Sequence, residues 1–458
     1  MPDIPVLVVG AGIAGLRVGA HYGDRCVVLE QKPHVGGRIR SVYEENGTLA
    51  YEAGPWRVAA SHARVRRLCD AHGVALLPCP TPPLRETHME RRGGLTTWGA
   101  NAVQHGVVAA NHLDLKTGYM GETHSASGSA PYQTAHNDTF LVAPAGLSVL
   151  AERLAQQVNV RTNTSVVDIV RCADTYVVHT RTRLSSGAFR KGTYTCRALF
   201  TCVPPNVSSR WSAFRDLGRA VVERVESAAL HHVYCKGEAM RPFHRYDKDG
   251  ILGQTIASQY ANEWFQASYS SGAIAELWNN LRFENVRACV SLLRTRLQAL
   301  GIAFRRQPRF HYWDTAFHKW HPVPGFHLAT AVAQCVEWNA VHLPRAYNVG
   351  EAFSSHQAWM EGALETADIA IALCDSGEHA LPFRCKRAHE IVMDGRIIDP
   401  SRFLEAHPGG REALLNHLGE ADIRPLFEHI GHSQTAWRVL GSLQVAWTER
   451  PKDSRATK

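Results

Sequence analysis

At 458 residues the chain is too long for a single compact core, so two or three domains are expected. An apolar content of 45% with 20% charged residues excludes an intrinsically disordered protein. The net charge of +8 is scattered apart from one short basic run at 450–458, so no nucleic-acid partner is expected, and the charge suits steering of a partner protein instead.

The segment 1–9 has no basic leader region and runs directly into a glycine motif, so no signal peptide is expected. No apolar stretch approaches the roughly 20 residues that span a bilayer, so no transmembrane segment is expected. Eleven cysteines without a CxxC pair fit reduced, buried thiols, and a cytoplasmic location follows as the expectation. Residues 4–9 read as a buried strand that leads into Gly10-Ala11-Gly12-Ile13-Ala14-Gly15, a helix over 16–22, a second strand at 26–29 and the acid Glu30. Glycines in that order permit a tight turn and close approach of the backbone to a pyrophosphate, and the helix N-terminus adds positive potential. A carboxylate at the end of the second strand can accept from ribose hydroxyls.

Further motifs sit at both ends of this region: Val35-Gly36-Gly37-Arg38, Gly54-Pro55-Trp56-Arg57, Asn348-Val349-Gly350-Glu351, and Gln357-Ala358-Trp359-Met360-Glu361-Gly362. Together with the glycine turn they resemble the FAD-binding signatures of the flavin-containing amine oxidoreductases. The resemblance implies that Arg38 lies near the pyrophosphate, Glu351 contacts the ribityl chain, and the Met360 backbone meets the flavin carbonyl. Weaker matches lie between them: 140–154, a strand around Val166 whose backbone would meet the adenine, and a strand at 198–205 ending in Pro204-Pro205. The implied cofactor set is Gly10, Gly12, Ile13, Ala14, Gly15, Glu30, Gly37, Arg38, Gly54, Pro55, Trp56, Val166, Gly350, Glu351 and Met360. FAD would be noncovalent, since the cysteine that carries it in monoamine oxidases has no counterpart.

Gly54-Pro55-Trp56-Arg57, with His62 and a helix over 64–72, is similar to the L-amino-acid oxidase branch, in which an arginine clamps the substrate carboxylate. Arg57 takes that place here, as a planar guanidinium that binds a carboxylate bidentately; a surface or flavin-phosphate arginine is the other reading. Trp359 would stand beside the flavin, so Arg57 and Trp359 are the expected catalytic pair. His311, Tyr312, Trp313, Phe317, Trp320, Phe326 and Trp338 form an aromatic-rich stretch that suits either the substrate wall or the core. The strand lysine usual in the family is missing: Leu230, His231 or His232 stands in its place.

Past 384 the chain changes character. Short strands at 390–393 and 396–399 flank the turn Asp394-Gly395, then Phe403-Leu404 precedes His407-Pro408-Gly409-Gly410. Helix faces at 412–418 and 423–430 lead to Gly431-His432-Ser433. This resembles the cytochrome b5 family and implies His407 and His432 as the two axial ligands of a haem b, which leaves iron no open position and makes it an electron carrier. The loop 419–423 is one residue longer than usual, and only 381–388 stands where the family has its first strand and helix. A zinc site on His429 and His432 is a minor alternative.

The expected architecture is therefore α/β and α+β multidomain: a Rossmann-like FAD-binding domain with an interleaved mixed-sheet substrate domain, plus a small α+β cytochrome b5-like domain. The flavin part spans 1–380, with FAD segments over about 1–60, 140–225 and 345–380 and substrate segments over 61–139 and 226–344; the haem part spans 384–447, before a flexible tail at 448–458. The expected reaction is oxidation of an amine or L-amino acid by hydride transfer to FAD, with electrons passing to haem, to oxygen, or to an external protein partner. Polyamine oxidation, desaturation, or a non-catalytic protein with a decayed flavin site are the alternatives.

Overall fold

The computed structural model describes residues 3–79, 140–215, 223–237, 243–246, 251–257, 260, 263–320, 328–337, 343, 345–376, 383–384, 386–393, 396–401, 403–418, 420, 423–433, 436, 439–440 and 443–448. Segment 80–139 of the expected substrate side, Phe326, Trp338, the Asp394-Gly395 turn, most of the 419–423 loop and the tail beyond 448 lie outside the described residues. The chain forms two units, Met1–Trp338 with Ala346–Ala372, and Asn339–Arg345 with Leu373–Lys458.

In the first unit, strand Asp3–Val9 lies between Cys26–Leu29 and Phe189–Thr201 and runs parallel to both. These strands are covered on both faces, which is why they read as continuous apolar runs without alternation; Leu7, Val8, Cys26, Val28, Leu199 and Phe200 are fully buried. Val160–Arg161 extends the sheet beside Cys26–Leu29. Along its other edge, Phe189–Thr201 pairs first with antiparallel Thr175–Arg183 and then with parallel Ala346–Asn348. Thr164–Cys172 completes the seven strands. Four parallel strands thus end on one side, at Val9, Leu29, Thr201 and Asn348, and the carboxyl ends of open α/β sheets are where ligands bind.

The interleaved part is a five-stranded antiparallel sheet in the order Phe243–Tyr246, Gln254–Ala257, Trp264–Ser271, Val225–Lys236, Arg309–Trp320. One face packs on the helices Ala273–Glu284 and Val286–Ala299. Cys289, Leu293 and Leu297 recur at a spacing of four along the second helix and meet Val233, Cys235, Phe265 and Trp278. Asn285 caps that helix, its side chain accepting from Ala288 N at 3.0 Å.

The second unit carries a four-stranded sheet, Phe383–Arg384, Gln444–Thr448, Arg396–Ile398, Ile391–Met393. Ile391, Met393 and Ile398 pack with Ile423, Phe427 and Leu440. The shortened first strand is present as Phe383–Arg384, parallel to Gln444–Thr448. The helical faces are shorter than the sequence spacing suggests, Glu412–Leu415 and Arg424–His429, and Ile430 is exposed where a core position was expected. Gly431 takes φ +72° directly afterwards, so the helix ends before Ile430 can turn inward. The α/β unit with an interleaved second sheet and the small α+β unit are those the sequence predicts, and the described strands of the interleaved sheet, expected to be mixed, pair antiparallel.

Candidate functional site

At the four strand ends lies a cavity of about 520 Å3. Its first wall is the glycine turn, in which the three glycines differ in what they do. A Cβ on Gly10 would lie 2.5 Å from the Cys202 carbonyl oxygen and one on Gly15 would lie 1.9 Å from the Gly10 oxygen, so the fold itself requires both. A Cβ on Gly12 would meet nothing within 4 Å, and its φ of −70° and ψ of 175° suit any residue. Gly12 lines the cavity, and what a side chain there would occupy is ligand space. Buried Glu30 is fixed beside the turn, accepting from Ala11 N and Lys32 N at 2.8 Å each. The next turn packs on this one: Gly36 N donates to Ala11 O at 2.8 Å, and a Cβ on Gly37 would come within 3.1 Å of Gly12 Cα. Gly54 passes so close to the Arg38 carbonyl that a Cβ would sit at 1.9 Å.

Arg38 reaches across to Glu351, its Nη1 2.7 Å from Oε1, and also donates to the Ala316 carbonyl. The same Oε1 accepts from His318 Nδ1 at 2.8 Å, while Oε2 accepts from Ala358 N at 2.9 Å. Burial opposes ionisation of Glu351, yet the charges of Arg38 and His318 and the bonds from His318 and Ala358 outweigh it and hold the carboxyl well below the usual range. Glu351 therefore ties together the Arg38 turn, strand Arg309–Trp320 and the loop before helix Met360–Ser376. Ala358 sits at φ +69°, a left-handed conformation in which glycine is usual. The helix then opens at Met360 with its N-terminal end, Trp359, Met360 and Ala363, on the cavity.

The remaining wall brings together Trp56, Arg57, Leu230, His232, Tyr269 and Trp313. The Arg57 guanidinium lies over Phe140 at 4.5 Å and over Trp56 at 5.0 Å. Trp359 is parallel to Phe140 at 6.3 Å and takes the edge of His62 at 4.8 Å. Burial pushes His62 down to about 4, so this aromatic corner contains a neutral imidazole at pH 7.

Of the residues expected at the cofactor, Gly10, Gly12, Ile13, Ala14, Glu30, Gly37, Arg38, Gly54, Pro55, Trp56, Gly350, Glu351 and Met360 line this one cavity, as do Arg57 and Trp359. Gly15 lies behind the turn, and Val166, on the outer strand Thr164–Cys172, is not among the lining residues. Of the aromatic stretch, Trp313 and Phe317 line it, whereas Trp320 is packed into the core and donates to the Ser354 carbonyl. Sequence reasoning missed His318, Asn206 and Arg210, which also line it. Asn206 follows the paired prolines, whose Pro205 starts a short helix, so the proline pair was the available signal. Four buried polar atoms at this wall have no partner in the protein: Asn206 Oδ1, His232 Nε2, His318 Nε2 and Asn348 Nδ2. Asn206 Oδ1, His318 Nε2 and Asn348 Nδ2, together with the open space above Gly12, fit a polar, elongated ligand such as FAD.

In the second unit both candidate iron ligands are oriented by main chain. His407 follows the turn Leu404–Ala406, and its Nδ1 is 3.0 Å from the Gly410 carbonyl oxygen, while Gly410 N donates back to His407 O at 2.9 Å. Gly410 takes φ +84°, and a Cβ on Gly409 would come 2.9 Å from the imidazole Cε1, so the diglycine is what lets the loop close around the ring. His432 Nδ1 is 3.0 Å from the Phe427 carbonyl oxygen, and its ring stacks on Phe427 at 3.8 Å. A carbonyl can only accept, so both Nδ1 atoms carry a proton, and in the neutral imidazole this leaves Nε2 with the lone pair a metal ligand needs. These residues fit a haem held by two histidines. No cluster of three or more metal-ligating side chains occurs among the described residues, so the zinc alternative gains nothing.

The geometry defines an α/β fold with a cavity at its strand ends and, separately, a small domain that presents two histidines oriented by main chain. Residues 11–117 match the flavin containing amine oxidoreductase family, and residues 386–448 match the cytochrome b5-like heme/steroid binding domain. The chain is similar to cytochrome b5 type B of Rattus norvegicus, 48% identical over 67 residues, which is 14% of this chain and 45% of the relative. Cytochrome B5 isoform D of Arabidopsis thaliana is 44% identical over 55 residues, 12% of this chain and 39% of the relative. The chain thus spans less than half the length of these relatives. The fold also matches a solved structure, a putative protoporphyrinogen oxidase from Exiguobacterium sp. 255-15, with a TM-score of 0.57 at 13% identity, covering 82% of this chain and 99% of that one. The protein carries a flavin-containing amine oxidoreductase domain joined to a C-terminal cytochrome b5-like haem domain, and its cofactors are FAD and haem. Among the described residues no helix is long and apolar enough to cross a membrane.

Proposed function

We propose that the protein oxidises an amine or L-amino acid, FAD serving as hydride acceptor and a bis-histidine haem b, or oxygen, receiving the electrons. The observation that carries this reading is a single cavity lined at once by Gly12, Glu30, Gly37, Gly350, Trp359 and Arg57. In this reading the turn at Gly12 and the helix beginning at Ile13 take the pyrophosphate of a noncovalent FAD, and Glu30 takes a ribose. Glu351 holds Arg38, His318 and Ala358 in register and so positions the floor of the site. Arg57 holds the substrate carboxylate, with its guanidinium kept in place over Phe140 and Trp56. Trp56, Trp313 and Trp359 exclude water from the reacting carbon. His407 and His432 offer their Nε2 atoms to iron, and an external protein is the expected final donor or acceptor.

Polyamine oxidation and desaturation use the same fold, and neither needs a carboxylate partner. An oxygen-free absorption spectrum of the purified protein, taken before and after L-amino acids, polyamines and isoprenoids are added in turn, separates these readings. Bleaching of the flavin by L-amino acids, followed by the spectrum of reduced haem, is the expected result. Bleaching only by polyamines or isoprenoids would reassign the substrate, and none at all would favour a non-catalytic role.

A further inference from the structure

Strand Val225–Lys236 presents three candidate side chains in succession, and their alternation separates them. Leu230 and His232 reach the cavity wall. His231 faces the other way, its ring parallel to Trp278 at 6.3 Å and 5.9 Å from Phe310. His232 is 1% exposed, and its Nε2 has no hydrogen-bond partner in the protein. The opposite ring nitrogen is engaged: Nδ1 lies 3.0 Å from the side-chain nitrogen of Gln266 and 3.3 Å from the Tyr234 hydroxyl. The amide nitrogen of Gln266 can only donate, so Nδ1 accepts from it, and Tyr234 gives its own proton to the Glu52 carbonyl. A nitrogen that accepts carries no proton, which puts the proton of a neutral imidazole on Nε2. Burial, with His311 and His231 nearby, holds His232 well below its ordinary value and keeps it neutral. The wall therefore contains a fixed N–H with no acceptor, on the side of the ring turned away from Gln266. Buried donors are rarely left in that state, and a molecule bound in the cavity that His232 lines can supply the acceptor.

We infer that His232 donates a hydrogen bond from Nε2 to a carboxylate or carbonyl oxygen of the small molecule bound in this cavity, and that this wall discriminates against an ammonium group. This rests on the flavin-cavity reading above and adds the feature of the substrate that this wall recognises. FAD also carries carbonyl oxygens, so the test distinguishes the two sources. The inference commits to the substrate, because His232 pairs in register with Tyr269 and shares its strand face with Leu230 on the interleaved antiparallel sheet, whereas the glycine turn belongs to the parallel one.

The test titrates the FAD-loaded full chain with benzoate and with benzylamine, a cation of similar size, and reads the shift of the flavin visible bands. Wild type is expected to bind benzoate more tightly than benzylamine. His232→Asn keeps an acceptor for Gln266 but has nothing at the reach of Nε2, and it should weaken benzoate binding on the order of tenfold to a hundredfold. His232→Gln places an amide NH2 at that reach and loses the Gln266 acceptor, and it should stay much closer to wild type. Flavin content should be unchanged in both. A merely structural histidine gives the reverse order, Asn mild and Gln severe, and that result overturns the inference. So does unchanged benzoate affinity in both variants, absence of benzoate binding in wild type, or an effect confined to FAD retention. Wild type that takes up no FAD refutes the flavin reading instead. In that case quenching of Trp56, Trp313 and Trp359 fluorescence by benzoate still tests His232.

Discussion

Gly12→Ala separates the demands of the fold from those of the ligand. The backbone at Gly12, φ −70° and ψ 175°, is open to alanine, and a Cβ there meets no protein atom within 4 Å. Replacing glycine at such a position stabilises the ligand-free protein by about 0.4–1 kcal/mol through the unfolded chain. With FAD present the sign reverses. A methyl group forced into filled space costs about 1–3 kcal/mol, which is roughly a tenfold to hundredfold loss of affinity. At a free FAD concentration of about 100 Kd the wild type gains about 2.7 kcal/mol of stability from binding; a hundredfold weaker Kd at the same concentration leaves about 0.4 kcal/mol. Thermal melts of stripped protein with and without FAD, together with flavin content after purification, measure both halves. The expected outcome is an unchanged or slightly raised melting temperature without FAD and near loss of the FAD-induced shift. Gly15→Ala is the control, since its Cβ would sit 1.9 Å from Gly10 O, and it should destabilise the protein with or without FAD. A Gly12→Ala protein that is yellow and fully stabilised by FAD would refute the placement of the pyrophosphate at this turn.

Three further outcomes are expected. His407→Ala should abolish the haem spectrum and leave bound FAD in place; retained haem would remove His407 as a ligand. Arg57→Ala should lower kcat/KM for L-amino acids by about 3 kcal/mol, more than a hundredfold, as the loss of one partner of a buried charge pair does, and unchanged kinetics would end the carboxylate role. Fully buried Glu52 is raised to about 8 by burial, against which bonds from Leu147 N and Ser41 act only partly. A glutamate in the unfolded chain ionises near 4.3. Because the folded value is the higher one, the stability this group contributes is complete below about 4.3 and is lost as pH rises through about 8. Glu52→Gln should therefore flatten the fall in melting temperature between pH 5 and 9; parallel profiles for variant and wild type would count against a protonated Glu52.

The parts legible in the sequence were those in which a local pattern decides the structure. The continuous apolar runs at Asp3–Val9 and Cys26–Leu29 announced buried parallel strands, and the glycine turn and diglycine loop were readable because Gly10, Gly15, Gly409 and Gly410 sit where a side chain would clash or the backbone is left-handed. Pairings between residues distant in sequence were not readable. His318 meets Glu351 across 33 positions, and Arg38 meets Glu351 across 313, so no window of sequence contains either pair. Ambiguity among Leu230, His231 and His232 had a different origin. The period of two in a strand shows that neighbours face opposite ways but not which face meets the cavity, and that was settled by Trp278 and Phe310 packing against His231.

Ala358 illustrates how a residue in an unfavourable conformation can be held in place by its neighbours. Its left-handed φ of +69° costs an alanine roughly 1–2 kcal/mol relative to glycine. The conformation persists because its N–H is fixed at 2.9 Å on a carboxylate that Arg38 and His318 already hold in place. Strain of this size survives only where surrounding contacts over-determine the backbone. A decayed cofactor site would be free to relax Ala358 and to let Glu351 reach solvent. Instead the carboxylate is buried and bonded through both oxygens, and the loop delivers Trp359 and Met360 to the cavity. The retention of a strained residue within a satisfied network is the physical argument against decay.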